Sequence, residues 1–263
     1  SASFSPDGAR VVTTTDDRSA RIWNTRDGRL GVTLRGHADP VVVTALAPDG
    51  ARVVTAFDDA TAHVWDARDG RAQRALEGHT APILAASFSA DGSRLVTASR
   101  DGTARVWSVT DGRALATLTG HAGVVVAAAF SPDGGRVVTA SYDGTARIWN
   151  AQTGALVRTL AGHTNAVDAA VFSADGSRIV TASDDRSARV WNAQDGALVA
   201  TLTGHTDKVW IATFSPDGSR VVTASYDGTA RIWSARDGSL QSTLPGHTVV
   251  VSAVAFSPDG SRV

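Results

Sequence analysis

The sequence lacks cysteine and methionine altogether, and only two of its 263 residues are tyrosine. Without cysteine no disulfide bond can hold the fold, and the redox compartment stays undetermined. No run of about 18 or more apolar residues occurs, so we expect no membrane-spanning helix. The first residues also lack the charged and then apolar pattern of a secretion signal, and we expect a cytoplasmic location.

A strong charge of one sign is missing as well, because the formal net charge is −1 at pH 7. A chain this close to neutral has no general electrostatic attraction to nucleic acid or to an anionic membrane surface. We therefore expect neither as a partner. Apolar residues make up 43% of the chain, which is enough for a continuous hydrophobic core.

The most informative feature that is present is an internal repeat. The stretch from Arg136 to Trp149 recurs unchanged from Arg220 to Trp233, which is two periods of 42 residues. Tryptophan follows this period at Trp23, Trp65, Trp107, Trp149, Trp191 and Trp233. Histidine preceded by glycine follows it at His37, His79, His121, His163, His205 and His247. A fixed period of about 40 residues is typical of solenoid and propeller arrays, in which each unit is one supersecondary element.

One unit, from His79 to Gly120, predicts four strands joined by short turns. ILAASF is apolar throughout and ends at SADG, which most other units replace with the turn sequence SPDG. RLVTAS and TARVW predict the next two strands, and the more polar RALATL predicts an outer edge strand. A four-stranded meander covers both its faces only when such sheets stack around an axis. The expected fold is an all-β propeller with four-stranded antiparallel blades.

Several repeated features resemble the WD-repeat β-propeller family: the Gly-His pair, the SPDG turn, the Asp of the second turn and the Trp that ends the third strand. The sequence departs from the family pattern after that Trp, because only Trp65 is followed by Asp, while other units have Asn or Ser. The resemblance implies a ring of seven blades, and a closed ring of six is the alternative.

We expect a single propeller domain over residues 1–263. The predicted blades are approximately 1–35, 36–77, 78–119, 120–161, 162–203 and 204–245, with a partial seventh at 246–263. The two ends of the chain carry the same part of the repeat, so we expect either a window of a longer protein or an incomplete ring.

Each full unit combines His, Asp and hydroxyl residues, which raises the hypothesis of a hydrolytic triad. The WD-repeat resemblance implies instead a buried hydrogen-bonded tetrad of His, Thr, Asp and Trp. Since the set recurs in equivalent copies, we favour this structural role and assign no catalytic residue. The expected tetrads are His79, Thr97, Asp101 and Trp107; His121, Thr139, Asp143 and Trp149; His163, Thr181, Asp185 and Trp191; and His205, Thr223, Asp227 and Trp233. No HxH, HExxH or CxxC cluster and no Gly-rich phosphate loop occurs, so no metal or cofactor is expected.

Three positions of the repeat vary among otherwise similar units: the third and fifth residues after the histidine and the residue before the turn Asp. By the WD-repeat resemblance, these positions ring the narrower face around the central channel, where partners dock. The predicted face consists of Trp210, Tyr226, Tyr142, Arg100, Asp168, Asp184, Lys208, Leu84, Val126, Val42, Asp58 and Asp16.

The aromatic content of this set favours binding over neutral drift between duplicated units. Both tyrosines belong to it, and Trp210 is the only Trp outside the repeat register. Aromatic residues dominate binding energy at interfaces. We expect Val42, Leu84 and Val126 to form an apolar arc, and Asp168 and Asp184 to form an acidic sector beside Trp210, Tyr226 and Lys208.

The leading functional hypothesis is a non-catalytic scaffold for a protein or peptide that brings an apolar or aromatic anchor and a basic residue. The alternative is the sensor domain of a larger bacterial signalling enzyme, a kinase, nucleotide-hydrolysing switch protein or protease, with its catalytic part elsewhere. High Ala, Arg, Gly and Val content hints at a GC-rich genome and thus a bacterial source. A hydrolase or lactonase within the propeller would need a convergent acidic or His cluster, which the spread carboxylates do not predict.

Overall fold

The computed structural model describes residues 2–5, 7–15, 18–35 and 41–263, except for the side chain of Val42. Within these ranges the chain forms 24 strands, arranged as six four-stranded sheets, each made from four consecutive strands. No helix able to cross a lipid bilayer occurs in these ranges. The prediction of an all-β propeller built from antiparallel four-stranded blades is confirmed.

The strands of the six blades have the following bounds. Blade 1 contains β1 (Ala2–Phe4), β2 (Arg10–Thr15), β3 (Ser19–Asn24) and β4 (Leu30–Leu34). Blade 2 contains β5 (Val41–Leu46), β6 (Arg52–Phe57), β7 (Ala62–Asp66) and β8 (Ala72–Leu76). Blade 3 contains β9 (Ile83–Phe88), β10 (Arg94–Ser99), β11 (Ala104–Ser108) and β12 (Ala114–Leu118).

Blade 4 contains β13 (Val125–Phe130), β14 (Arg136–Ser141), β15 (Thr145–Asn150) and β16 (Leu156–Ala161). Blade 5 contains β17 (Val167–Phe172), β18 (Arg178–Ser183), β19 (Ser187–Asn192) and β20 (Leu198–Thr203). Blade 6 contains β21 (Val209–Phe214), β22 (Arg220–Ser225), β23 (Ala230–Ser234) and β24 (Leu240–Leu244). In every blade the strands pair in chain order.

The first strand of each blade lies next to the first strand of the following blade. These contacts run in series through β1, β5, β9, β13, β17 and β21. The first strands therefore lie nearest the centre, and the fourth strands form the outer edges. This order places the variable positions that flank each first strand at the central end of the blade.

The hydrophobic cores lie between blades rather than inside them. At the junction of blades 2 and 3, Val64 and Leu76 pack with Leu95 and Trp107. Equivalent clusters occupy the other four junctions from blade 1 to blade 6. Burying each such side chain contributes about 1.5 to 3 kcal/mol of stability. A single sheet would lose this contribution, because both of its faces would be exposed to water. Stability in this chain is thus shared between neighbouring repeats.

The SPDG-type turn between the first and second strands is held by its own side chains. In blade 3 the Ser89 hydroxyl donates to Asp91 at 2.5 Å and accepts the backbone N–H of Arg94 at 3.0 Å. Gly92 has a φ of 67°, a left-handed conformation that glycine adopts without steric cost. The same serine-to-aspartate bond fixes this turn in blades 4, 5 and 6, whereas blade 2 has Ala47 at the serine position.

Residues 246–263, predicted as a partial seventh blade, contain no strand. Arg220 nevertheless donates to the Gly260 carbonyl at 2.6 Å, and its guanidinium lies 5.2 Å from the centre of the Phe256 ring. Arg178 of blade 5 makes the same pair of contacts on blade 6. The segment thus packs on blade 6 in the way that blade 6 packs on blade 5.

Candidate functional site

The His, Thr, Asp and Trp residues of blade 3 form a continuous hydrogen-bonded chain. The Trp107 indole N–H donates to the Thr97 hydroxyl at 2.8 Å, and that hydroxyl lies 2.8 Å from His79 Nε2. His79 Nδ1 lies 2.7 Å from Asp101 Oδ2. When the neutral histidine carries its proton on Nδ1, the Thr97 hydroxyl donates to Nε2 and every group has a partner.

Blades 4, 5 and 6 repeat this tetrad with nearly the same distances. The His-to-Asp contacts are 2.7 to 2.8 Å for His121 with Asp143, His163 with Asp185 and His205 with Asp227. The threonines in the middle of these chains are Thr139, Thr181 and Thr223, and the indoles belong to Trp149, Trp191 and Trp233. Blades 1 and 2 show the Trp-to-Thr bond in the part of the chain that the structure describes.

Burial and hydrogen bonding together determine the protonation states of these tetrads. Burial lowers the pKa of His79 below the ordinary 6.5, although the hydrogen bond to Asp101 opposes the shift. Burial also opposes ionisation of Asp101, but hydrogen bonds from Thr103 and His79 outweigh it and lower the pKa to about 2. The pair is therefore a neutral imidazole bound to a carboxylate. Thr97 is fully buried between His79 and Trp107, so its hydroxyl has no space beside it for a substrate.

Two of the variable positions are joined by a backbone hydrogen bond in each of blades 3 to 6. The residue before the turn Asp donates its N–H to the carbonyl of the third residue after the histidine. The bonded pairs are Arg100 with Pro82, Tyr142 with Val124, Asp184 with Ala166 and Tyr226 with Lys208, at 2.9 to 3.0 Å. The side chains at these positions thus emerge together beside the inner strand.

The third variable position is a β-bulge in the innermost strand. In blade 6, Val209 pairs with Ser225 and Ile211 with Ala224, which leaves Trp210 without a cross-strand partner. The same shift leaves Leu84, Val126 and Asp168 unpaired in blades 3, 4 and 5. A bulge redirects a side chain away from the alternating pattern of the strand. These residues are therefore free to differ among blades without disturbing the ladder.

The variable positions of four blades meet in one pocket of about 530 Å³. Its lining comprises Leu84, Arg100, Val124, Val126, Tyr142, Asp168 and Trp210. Trp210 and Tyr142 are 38% and 49% exposed, although both have large apolar rings. The Tyr226 ring lies against Trp210 edge to face, with the centroids 6.1 Å apart. An apolar floor, two aromatic rings and one carboxyl group thus converge at the centre of the propeller.

This arrangement differs from the two separate sectors expected from the sequence. The apolar Leu84 and Val126 line the same pocket as Asp168 and Trp210, because bulges on successive blades point to a common centre. Asp58 of blade 2 is exposed and does not line the pocket. Tyr226, Asp184 and Lys208 are described but do not line the pocket themselves. Asp16 and the side chain of Val42 lie outside the described residues.

The two carboxylates expected to receive a basic residue have different environments. Lys208 forms an ion pair with Asp184, so this carboxylate already has a cationic neighbour from the chain itself. Asp168 Oδ2 is buried and has no hydrogen-bond partner among the described residues. Burial, the charge of Asp184 and a hydrogen bond shared with Asp184 raise the pKa of Asp168 to about 7, while Lys208 opposes the shift.

The neighbouring ionisable groups respond to this carboxyl pair. Burial raises the pKa of the Tyr142 phenol, and the charges of Asp168 and Asp184 add to the shift. The hydrogen bond with Asp184 raises the pKa of the Lys208 ammonium group. Across the described chain, no three His, Asp or Glu side chains gather as metal ligands would. The pocket therefore offers apolar contact, the carboxyl group of Asp168 and the guanidinium of Arg100.

Sequence reasoning missed two things about this face. It did not anticipate the bulge, although a run of consecutive apolar residues such as VVVAAAF departs from the strict alternation of a half-buried strand. It also did not assign Val124 to the site, although Val124 occupies one of the three variable positions. Comparison of units reveals which positions vary, but it does not reveal how far each side chain reaches into the channel.

The six stacked meanders define this chain as a β-propeller repeat domain. A family model described as TolB beta propeller domain matches residues 21–259, and one described as WD domain, G-beta repeat matches residues 1–24. Because the first match covers most of the sequence, the chain belongs to the TolB beta propeller domain family. The second match is consistent with the resemblance to WD-repeat propellers. Among curated proteins, no sequence matches this chain.

Proposed function

We propose that this propeller is a non-catalytic platform that binds a protein or peptide at its channel face. β-Propeller repeat domains of this kind are typical interaction scaffolds. The observation that carries the proposal is the pocket of about 530 Å³, whose lining residues belong to the non-repeating part of each unit. Exposed aromatic side chains in a concave surface are the usual anchors of binding energy.

The pocket indicates the chemistry of the partner. Trp210, Tyr142 and the aliphatic floor would receive an apolar or aromatic side chain. A basic group beside that anchor would pair with the carboxyl group of Asp168, which lines the pocket, and would favour its ionised form. Arg100 also lines the pocket, so a fitting partner leaves this guanidinium in water or brings an acceptor to it.

Selection of peptides from a random display library on the intact chain tests this proposal. We expect enriched peptides to pair an aromatic or aliphatic residue with Lys or Arg. The double variant Trp210→Ala, Tyr226→Ala should weaken their binding by about 30-fold or more, as loss of a hot spot of about 2 kcal/mol does. Fluorescence anisotropy with labelled peptides measures the change.

The matched control is Leu198→Ala, which removes a side chain that is 48% exposed on the outer strand β20. This control should bind the selected peptides like the parent chain. The Asp168→Asn variant should lose the preference for Lys or Arg while keeping the apolar anchor. Unchanged binding by the Trp210 and Tyr226 double variant would contradict the proposal.

A further inference from the structure

An arginine at the start of the second strand normally fastens each blade to the next. Its guanidinium donates to the carbonyl of the turn glycine in the following blade. The pairs are Arg10 with Gly50, Arg94 with Gly134, Arg136 with Gly176, Arg178 with Gly218 and Arg220 with Gly260, at 2.6 to 3.1 Å. Five of the six arginines that begin a second strand therefore make this contact with the next repeat.

Arg52 of blade 2 occupies the same position but does not make this contact. No hydrogen bond from Arg52 to Gly92 occurs within the described residues, and its Nη2 lies instead 3.6 Å from Asp49 Oδ2 in its own turn. A pocket of about 760 Å³ lies between blades 2 and 3 at this point, and Arg52 lines it. The departure leaves this guanidinium free of its usual backbone acceptor.

Two further arginines line the same pocket. Arg74 donates from Nε to the Thr110 carbonyl at 3.2 Å and from Nη1 to the Gln73 carbonyl at 2.6 Å, which fixes its guanidinium across the junction. The Arg68 guanidinium has no partner among the described residues. The one carboxylate in the lining, Asp66, already accepts the Arg68 backbone N–H and the Gln73 amide. Positive charge therefore exceeds negative charge in this pocket.

The equivalent pockets at two other junctions do not share this charge. The pocket of about 550 Å³ between blades 3 and 4 has one arginine, Arg94, together with Asp133. The pocket of about 400 Å³ between blades 4 and 5 has Arg136 with two aspartates. The three-arginine arrangement at blades 2 and 3 is thus a local feature and not a product of the repeat.

We propose that the pocket lined by Arg52, Arg68 and Arg74 binds a multivalent oxyanion of a small molecule, a phosphate ester or a polycarboxylate. Guanidinium groups recognise both oxyanions through paired N–H donors in a fixed planar geometry. No aromatic ring lines the pocket, so the anionic group itself is the part recognised. Arg52 lies at the start of a second strand, whereas Arg100 and Tyr142 lie just after the end of one. The arginine pocket is therefore at the opposite end of the blades from the pocket that contains Trp210.

Isothermal titration calorimetry of the intact chain with pyrophosphate, and separately with citrate, tests the proposal at constant ionic strength. We expect binding of one anion per chain for at least one of the two probes, and the tighter probe identifies the source of the oxyanion. The variant Arg68→Gln, Arg74→Gln should weaken binding by about tenfold or more, because charge-assisted hydrogen bonds are lost.

The chain offers a closely matched control. Arg236 and Arg158 occupy the same repeat positions as Arg68 and Arg74, and Arg158 donates to the preceding carbonyl as Arg74 does. The variant Arg158→Gln, Arg236→Gln removes the same charge from other blades and should bind within about twofold of the parent. Absence of saturable binding to both probes overturns the proposal, and so does an equal loss in the control variant.

Discussion

Lys208 of blade 6 reaches across to blade 5 and forms an ion pair with Asp184. The ammonium group of Lys208 balances the negative charge of Asp184. The charge of the neighbouring carboxyl group, Asp168, depends on its protonation, because its pKa is about 7. A partner that approaches the channel face therefore meets one carboxyl group that is already paired and one that titrates near neutral pH. The electrostatic character of the face is set jointly by three residues of two blades.

Replacing Asp184 should shift the titration of its neighbour. In an Asp184→Asn variant we expect the pKa of Asp168 to fall below 7, because a nearby negative charge is removed. Burial persists, so the pKa should stay above the ordinary 3.8. Carbon-13 NMR titration of the carboxyl resonances measures this change. Asp58→Asn, at the same repeat position in blade 2, should leave the pKa of Asp168 where it was, and a comparable shift in that variant would contradict the assignment.

The tetrads should contribute to stability as connected units. Thr97→Val removes the acceptor of the Trp107 indole and the donor to His79, both of them buried. We expect a loss of about 2 to 5 kcal/mol, since each unsatisfied buried group costs about 1 to 3 kcal/mol. Equilibrium unfolding in urea measures the loss. Thr117→Val on the outer strand β12 is the control, because this threonine is exposed, and an equal loss there would contradict the tetrad account.

Acid should destabilise the fold in two stages. Burial lowers the pKa of the four tetrad histidines, so unfolded chains bind more protons as the pH falls below 6.5. Stability from these groups is complete above 6.5 and is lost below it. The tetrad aspartates follow between 3.8 and about 2, where hydrogen bonds lower the pKa of Asp101 and Asp143. Urea midpoints measured from pH 8 to about pH 2 should fall in these two stages.

Asp168 opposes that trend. Its folded-state pKa of about 7 exceeds the ordinary 3.8, so its contribution to stability is present at low pH and is lost as the pH rises through 7. An Asp168→Asn variant should therefore gain stability more steeply than the parent between pH 5 and pH 7. A shallower slope in the variant would contradict the assigned pKa.

The turn between the second and third strands offers a test of backbone strain. Gly144 has a φ of 81°, while Arg186 occupies the same repeat position with a φ of 68°. Left-handed conformations cost residues other than glycine about 1 to 2 kcal/mol. Arg186→Gly should raise the midpoint of thermal unfolding, and Gly144→Ala should lower it. Shifts in the same direction for both variants would show that φ does not determine the difference.

The strands of each blade could be predicted from the sequence, because residues at the same position of the 42-residue repeat have the same structural role. Trp107 and its counterparts, the Gly-His pairs and the SPDG turns recur because every junction needs the same packing and hydrogen bonds. The four strands follow from the pattern of one unit, and the internal tetrad was implied by the resemblance to WD-repeat propellers. The bacterial source and the cytoplasmic location stay predictions, because the structure of a blade does not depend on either.

For the channel face, the sequence indicated which positions of the repeat vary but not which side chains meet. Which side chains meet depends on the stagger of successive blades and on the bulge, and neither has a signature in a single unit. Leu84 and Trp210 are three units apart in the sequence, yet they line one pocket. The pairing of Lys208 with Asp184 likewise depends on the reach of one side chain between blades. Long-range placement of this kind is set by tertiary packing rather than by local pattern.

The bulge in each innermost strand has a consequence for how this protein can change. Every blade from 3 to 6 carries one inward residue that the ladder does not use: Leu84, Val126, Asp168 or Trp210. The hydrophobic junctions on either side keep the same residue types from blade to blade. Duplication, loss or reordering of whole units therefore changes which side chains line the channel face. The fold of each blade stays the same. Such a chain can evolve new partners by recombination between its own repeats.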